Sequence, residues 1–183
     1  MDRFGYYIAW GCIAFVPGFY TLPSLYLVKN SPRGGDGGFL HVALNLAILL
    51  LGLGSVVANY WVDLQRQLVR ATDGACSIWG RRPRLIRAKY RDETGTERNS
   101  LLLASGFWSV GRHFNYLFEL LAALCFGLPA LAASPLPYLY FAFLTTLLVH
   151  RALRDEEKCS KKYGRYWDEY RKLVPYKIVP GIF

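Results

Sequence analysis

The sequence carries little charge for its length. Charged residues make up 19% of the 183 residues, whereas 53% are hydrophobic, and soluble domains usually carry about a quarter of charged residues. The few charges are gathered between long charge-free blocks instead of being spread along the chain. A soluble core would place its apolar residues at helix or strand spacing, so this segregation indicates an integral membrane protein.

Cysteine pairs and short catalytic motifs are also missing. The four cysteines, Cys12, Cys76, Cys125 and Cys159, contain no Cys-x-x-Cys pair, which argues against a zinc site or a disulfide framework. The three histidines share no metal-ligand spacing. A catalytic serine elbow, a His-Glu-x-x-His motif and a Gly-x-Gly-x-x-Gly fingerprint are all absent from the sequence. We therefore expect no metal ion and none of these motif-bearing enzyme classes.

Two apolar blocks near the start are long enough to cross a membrane. Phe4–Val28 and Gly38–Val62 both exceed the roughly 20 apolar residues that a span needs. Pro17 and Pro23 predict a kink in the first block, which spanning helices tolerate. Between the blocks, Lys29–Gly38 is rich in glycine, but it lacks the Gly-Lys-Ser/Thr ending of a phosphate loop. We interpret it as a linker.

A third apolar block is too long for one upright helix. Leu120–Val149 carries no charge but contains three prolines, and at about 1.5 Å per residue it exceeds the width of a bilayer. We predict a tight helical hairpin with spans at about Tyr116–Ala132 and Leu136–His150. Residues 1–183 are then one membrane domain, an all-α polytopic transmembrane helical bundle of about four spans.

Two basic segments, 63–112 and 151–183, flank these spans in a chain of net charge +9. With four spans both segments lie on one side, which their lysine and arginine excess marks as cytoplasmic. Asp63–Arg70 predicts a helix leaving the membrane, Leu85–Leu103 a short β-hairpin around an Asp-Glu-Thr-Gly turn, and Arg151–Arg171 a C-terminal helix. The charge favours an anionic cofactor or lipid surface over nucleic acid.

Aromatic and charged residues cluster where the spans meet these segments. Such residues belong at membrane interfaces, so anchoring is one interpretation. Arg151 and Asp155 are spaced i and i+4 and share a helix face. The same face continues through Cys159, Lys162 or Tyr163, and Tyr170. From the residues alone, both anchoring and a functional site stay open.

Two stretches resemble the motifs of the sterol reductase family. Leu102–Tyr116, LLASGFWSVGRHFNY, is similar to L-x-x-S-G-F/W-W-x-x-x-R-H-x-N-Y. His150–Tyr170, HRALRDEEKCSKKYGRYWDEY, resembles H-R-x-x-R-D-x-x-x-C-x-x-K-Y-G-x-x-W-x-x-Y. Asp73–Pro83 and Val174–Phe183 are similar to the same family, so the resemblance covers nearly the whole chain.

The resemblance implies a multi-pass enzyme of the endoplasmic reticulum membrane that reduces a sterol C=C bond, which we expect to be C7–C8, with NADPH. It also implies that Tyr26 and Asp155 deliver the proton. Expected partners are a sterol, membrane lipid, and further N-terminal spans or another subunit, with no nucleic acid. By the same resemblance, the cofactor-binding residues would be Arg66, Arg70, Leu103, Trp108, Asn115, Tyr116, Arg151, Asp155, Cys159, Lys162, Tyr163 and Tyr170.

The chain departs from the family pattern at Cys12, where the family often has Asp, and at Phe118 and Glu119, which replace Gly and Asp and would narrow the pocket. Two other interpretations stay open. One is an isoprenylcysteine or phospholipid methyltransferase using S-adenosylmethionine, and the other is a non-catalytic sterol-binding or scaffold protein like the lamin B receptor. Arg66 and Arg70 favour a phosphate-bearing cofactor, because the planar guanidinium binds two phosphate oxygens at once.

Overall fold

A computed structural model describes residues 9–30, 38–91, 95–131 and 133–182. The start of the first predicted span, the middle of the predicted linker and the tip of the predicted hairpin lie outside these ranges. The chain divides into two compact units, here called the span unit (Met1–Val56 and Leu120–Leu147) and the head unit (Val57–Glu119 and Leu148–Phe183). The structure is mostly helical, with one small sheet.

The first apolar block forms two short helices with a bend between them. Helix α1, Gly11–Tyr20, has π-helical hydrogen bonding, and helix α2, Leu22–Lys29, follows at an angle of 41°. Pro17 lies inside α1, where it has no N–H to donate. The hydroxyl of Thr21 donates to the carbonyl of Pro17 at 3.1 Å, so the bend begins beside this proline. The predicted kink is confirmed.

Helix α3, Phe39–Ala71, is a single helix of 33 residues. The predicted span Gly38–Val62 and the predicted helix Asp63–Arg70 are therefore one continuous element. At about 1.5 Å per residue it extends for about 50 Å, which exceeds the roughly 30 Å hydrocarbon core of a bilayer. Only 11% of its most apolar stretch is buried within the protein, as expected for a helix that faces lipid.

The third apolar block folds as two helices separated by prolines, as predicted. Helix α4, Phe114–Gly127, runs into a 3₁₀ turn, and helix α5, Leu139–Tyr163, begins after a second such turn. The two helix ends approach closely, because a Cβ on Gly127 would lie 3.0 Å from the carbonyl oxygen of Pro137. Helix α5 then continues without a break from the apolar block into the charged C-terminal segment.

Two segments in the described ranges, Phe39–Ala71 and Leu136–Tyr163, are long and apolar enough to cross a membrane. The bent pair α1 and α2 makes a third if it counts as one span. The apolar stretch Phe114–Ala130 is shorter, and at about 1.5 Å per residue it covers only about 25 Å. The four-span topology and the shared cytoplasmic side of the basic segments remain predictions.

The head unit contains the predicted β-hairpin. Strands β1, Leu85–Arg91, and β2, Glu97–Leu103, pair in antiparallel register, with Leu85 opposite Leu103 and Arg91 opposite Glu97. The pattern of β-branched and apolar residues on both sides of a turn sequence is typical of this element. This prediction is confirmed.

Helix α6, Arg165–Leu173, covers one face of the hairpin. It is separated from α5 by Gly164, whose φ of 51° is left-handed and favours glycine. The prediction that Arg151–Arg171 is helical is confirmed except at Gly164, where the chain breaks between two helices. Apolar residues of the strands and of α6 form one buried cluster: Ile86, Ala88, Leu102, Ala104, Trp167, Tyr170 and Val174.

Candidate functional site

Trp108 and Arg66 form a stacked pair in the head unit. Trp108 is buried, and its indole N–H donates to the carbonyl of Val62 at 2.9 Å. The guanidinium carbon of Arg66, one turn further along α3, lies 4.5 Å from the centre of the Trp108 ring, within cation–π range. The carboxylate of Asp63 lies 3.3 Å from this guanidinium, and the Arg66 side chain is 40% exposed. A flat ring and a cation are thus brought together.

A buried glutamine shapes the backbone beside this pair. The side-chain oxygen of Gln65 accepts from the backbone N–H of Phe107 at 3.2 Å, and Gln65 is only 6% exposed. The neighbouring Gly106 has a left-handed φ of 64° and leaves no room for a Cβ next to Gln65. Gln65 belongs to neither family motif, and its only signal in the sequence is a polar residue at a core-facing position of α3.

Tyr170 joins helix α6 to the base of the hairpin. Its hydroxyl donates to the carbonyl of Leu103 at 2.9 Å, in a buried position. Burial raises the pKa of Tyr170, so the phenol stays protonated and keeps this donor. Cys159 packs against the same apolar cluster. Three of the predicted site residues, Leu103, Cys159 and Tyr170, therefore meet here.

His113 and Tyr116 stack at the start of α4. Their ring centres lie 5.0 Å apart, with 17° between the planes. Burial lowers the pKa of His113, the carboxylate of Asp155 opposes that shift, and the cation of Arg112 reinforces it. The charges of Arg151, Asp155 and Arg66 also act on the hydroxyl of Tyr116. Of the predicted residues, Tyr116 is thus in direct contact with His113, and no ion pair joins Arg151 to Asp155 among the described residues.

The buried polar atoms without a hydrogen-bond partner in the described ranges include Oδ1 of Asn115 and Nε2 of His113. Buried polar atoms normally find partners, so each indicates a place for a ligand group or water. Oδ1 of Asn115 can only accept, and a carboxamide N–H₂ such as that of nicotinamide can only donate. The residues therefore fit a nicotinamide nucleotide, with the cations of Arg66 and Arg70 suited to its phosphates.

Lys162 and Tyr163 lie at the other end of the hairpin. The ammonium of Lys162 is 4.1 Å from the ring centre of Tyr90 and 5.3 Å from that of Tyr163. The hydroxyl of Tyr163 is 3.3 Å from that of Ser100 on β2. These contacts fix the last turn of α5 against the tip of the hairpin.

Two predicted residues stand apart from these contacts. Arg70 is exposed in the last turn of α3, where its charge still acts on Arg66. Tyr26 lies half-buried on α2 in the span unit, whereas all the other predicted site residues belong to the head unit. A role for Tyr26 in proton delivery stays a prediction.

Glu156 is the centre of an ionic network that the sequence did not predict. Glu156 contacts Arg112 at 3.0 Å and Arg171 at 3.2 Å, and it also accepts from the indole N–H of Trp167 at 3.1 Å. The second motif predicted Asp155 as the functional carboxylate of this helix, but the neighbouring Glu156 makes these contacts. Successive residues of a helix point about 100° apart, so one position decides which carboxylate faces the core.

Comparison with known proteins gives a match over the whole chain. The sequence profile described as the Ergosterol biosynthesis ERG4/ERG24 family matches residues 1–183. The chain is 44% identical to the 7-dehydrocholesterol reductase of Arabidopsis thaliana and 42% identical to that of Xenopus laevis, over 100% of this chain and 41% and 37% of those proteins. It is 37% identical to the Delta(14)-sterol reductase of Methylotuvimicrobium alcaliphilum, covering 100% of this chain and 39% of that protein. The chain thus spans about two fifths of the length of these relatives.

Proposed function

This chain belongs to the Ergosterol biosynthesis ERG4/ERG24 family, as its two motifs predicted, and we propose that it forms the cofactor-binding part of an enzyme that reduces a sterol C=C bond with NADPH. The proposed bond is C7–C8. Relatives named 7-dehydrocholesterol reductase from one plant and one animal are 44% and 42% identical to it. Relatives named Delta(14)-sterol reductase are 37% and 34% identical, which favours the C7–C8 bond over C14–C15.

The observation that carries this proposal is the arrangement of Trp108 and Arg66. An indole ring fixed by its N–H to a backbone carbonyl offers a rigid aromatic surface, and Arg66 adds a half-exposed cation at 4.5 Å from the ring. Nicotinamide is flat and its nucleotide carries phosphates, so both parts of the ligand have a matching partner. The unpartnered Oδ1 of Asn115 adds an acceptor for the carboxamide.

The reaction needs a proton as well as a hydride. A C=C bond that carries no electron-withdrawing group is a poor hydride acceptor, and protonation of one carbon makes the other electrophilic. When bound, NADPH supplies the hydride. We assign proton delivery to Asp155, which acts electrostatically on both His113 and Tyr116, with Tyr26 as a second candidate. Tyr116 stacks on His113 and is only 6% exposed, so it helps to exclude water.

The proposed location is the endoplasmic reticulum membrane, with several spans. The apolar helices α3 and α5 support membrane insertion. The two basic segments fit a cytoplasmic side because lysine and arginine accumulate there. A sterol enters such a site from the bilayer, whereas a nucleotide enters from the cytosol.

Ligand protection tests the proposal without requiring that the chain alone be active. We expect NADPH to raise the midpoint of thermal unfolding of the detergent-solubilised chain, and S-adenosylmethionine to leave it unchanged. At 100 times its Kd a ligand adds about 2.7 kcal/mol of stability. Protection by S-adenosylmethionine instead would support the methyltransferase interpretation, and protection by sterol with no effect of NADPH would support the scaffold interpretation.

Turnover is tested in membranes that carry the chain, with 7-dehydrocholesterol and NADPH deuterated at the nicotinamide C4. Mass spectrometry should find one deuterium in the reduced sterol. The variant Asp155→Asn should retain NADPH protection but lose product. The neighbouring Lys158→Gln, an exposed change on the same helix, should retain both NADPH protection and product formation. Reduction by Asp155→Asn at the wild-type rate would reject proton delivery by Asp155.

A further inference from the structure

An exposed apolar stripe on helix α3 continues beyond the end of its charge-free block. Val57, Trp61, Leu64 and Leu68 follow one another at intervals of three or four residues, so they share one face of the helix. Each of these side chains is between 42% and 64% exposed. The charge-free block ends at Val62, yet the stripe runs on into the charged part of the helix. Contiguous exposed apolar surface of this kind marks a protein or membrane contact.

A second exposed tryptophan stands beside this stripe, at the tip of a tight turn. Ile78 and Arg81 pair through backbone hydrogen bonds of 2.9 and 3.1 Å, so Trp79 and Gly80 are the two turn residues. Both have a positive φ, 50° and 76°, as a type I′ turn requires. That conformation suits glycine but is unfavourable for a bulky side chain, and Trp79 is nevertheless 60% exposed. An indole held at the surface at the cost of backbone strain favours a functional role.

The ring of Phe107 packs against both tryptophans. Its centre lies 5.8 Å from that of Trp61 and 5.0 Å from that of Trp79, and both contacts are edge to face. Neither indole N–H has a hydrogen-bond partner in the part of the chain that the structure describes. A groove of about 130 Å³ beside them is lined by three residues of the stripe, by Gln65 and by residues 77–79. Pockets that enclose whole small molecules measure about 300–1,000 Å³, so this groove fits one hydrocarbon chain and not a whole sterol or nucleotide.

Two arginines follow the turn directly. Arg81 and Arg82 are both exposed, and neither forms an ion pair with a described residue. We propose that the groove and these two arginines bind an anionic phospholipid, with an acyl chain against the stripe and the phosphate at the guanidinium groups. A guanidinium matches the oxygens of a phosphate, and an indole N–H donates to polar groups at the membrane interface. The proposal concerns the surrounding membrane, so it is independent of the proposed reaction and its cofactor.

The position of the groove along α3 favours a lipid over other ligands. Because the charge-free block ends at Val62, Trp61 falls at the boundary of the hydrocarbon core, where tryptophan accumulates. From Trp61 to Leu68 the stripe extends for about 10 Å, and each headgroup layer is about 5–8 Å thick. The stripe therefore passes through the headgroup layer. A soluble anion needs cations but no apolar stripe, whereas an anionic phospholipid has both a chain and a charge.

Photo-crosslinking from the turn tests the proposal. Trp79 is replaced by the photo-reactive aromatic residue p-benzoylphenylalanine, and the chain is reconstituted in nanodiscs of equal parts phosphatidylglycerol and phosphatidylcholine. Mass spectrometry should find at least about ten-fold more adduct with phosphatidylglycerol, since each Lys or Arg near an anionic surface contributes about five-fold. Adding Arg81→Ala/Arg82→Ala should bring the ratio close to one. The control Lys89→Ala/Arg91→Ala removes the same charge from exposed positions on strand β1 and should keep the excess.

A second measurement keeps the native indole. Phosphatidylglycerol added to the detergent-solubilised chain should raise the midpoint of thermal unfolding more than phosphatidylcholine does, and Arg81→Ala/Arg82→Ala should abolish that difference. An adduct ratio near one without the arginine substitutions, or an excess that survives them, overturns the proposal. So does an equal loss in Lys89→Ala/Arg91→Ala, because overall charge would then be the cause. Crosslinking in cell membranes to a polypeptide instead of a lipid would assign the groove to a protein partner and also overturn it.

Discussion

The side chains of Arg112 and Glu156 form a 3.0 Å ion pair that is nearly closed to solvent, with exposed fractions of 3% and 17%. Arg112 also donates to the carbonyls of Val174 and Pro175 in the C-terminal segment. The pair therefore joins the residue that precedes His113 to helix α5 and to the end of the chain. It lies directly beside the residues proposed to hold the cofactor.

Removal of the carboxylate should be strongly destabilising. Glu156→Gln leaves the buried guanidinium of Arg112 without its counter-ion, and such half-broken pairs cost about 3–5 kcal/mol. We expect a clear fall in the midpoint of thermal unfolding in detergent. The neighbouring Glu157→Gln breaks only an exposed pair with Lys161, and exposed pairs contribute little to stability. An equal fall in the unfolding midpoint of the two variants would show that the buried pair stabilises the protein no more than the exposed pair does.

Local patterns explain what the sequence could predict. The β-hairpin follows from apolar and β-branched residues on both sides of the sequence Asp-Glu-Thr-Gly, and the division of the third block into two helices follows from its three prolines. Both signals act within a few residues, so they need no tertiary information. The two motifs then identified Trp108, Tyr116 and Tyr170, which the structure places within one unit.

Tertiary contacts account for what the sequence could not predict. Arg112 and Glu156 are distant in sequence, and the rotation of α5 that points Glu156 rather than Asp155 at Arg112 depends on how the whole head unit packs. The break at Gly164 was missed because a single glycine in a charged, helix-favouring stretch is a weak signal. Only its left-handed φ of 51° shows that the helix ends there.

The substitution Gly106→Ala should lower the free energy of unfolding for two separable reasons. Its φ of 64° is unfavourable for any L side chain, and a Cβ would lie 2.4 Å from Oε1 of Gln65. Gly80 has a similar φ of 76° but open space around it. We expect Gly80→Ala to cost about 1 kcal/mol from backbone strain and Gly106→Ala about 1–3 kcal/mol more from overpacking. Chemical denaturation of both variants measures the difference, and equal losses would contradict the steric clash.

Stability should fall on mild acidification because of His113. Burial lowers its pKa below the ordinary value of 6.5, and among its neighbours Arg112 and Arg66 act in the same direction, whereas Asp155 and Glu156 oppose it. Well above pH 6.5 the imidazole is neutral in both the folded and the unfolded chain, so its protonation does not reduce stability. Below 6.5 the unfolded chain binds the proton first, and the free energy of unfolding falls by at most about 1.4 kcal/mol per pH unit.

This pH dependence is measured as the change in unfolding midpoint between pH 7.5 and 5.5 in detergent. His113→Gln should remove part of the loss, because glutamine does not titrate. His150→Gln, an exposed histidine on α5, serves as the control and should keep the wild-type loss. An identical loss in wild type and His113→Gln would assign the acid sensitivity to other groups.

Arg66→Lys should separate the geometry of the guanidinium from its charge. Lysine keeps the positive charge over Trp108 but loses the planar fork that binds two phosphate oxygens and stacks on an indole. We expect NADPH affinity to fall by about ten-fold, which corresponds to about 1.4 kcal/mol, while the unfolding midpoint without nucleotide changes little because Arg66 is 40% exposed. Arg84→Lys, at an exposed loop position, should leave both quantities unchanged. If Arg66→Lys binds NADPH as tightly as the wild type does, a point charge is sufficient at this position, and the stacked guanidinium does not take part in binding the cofactor.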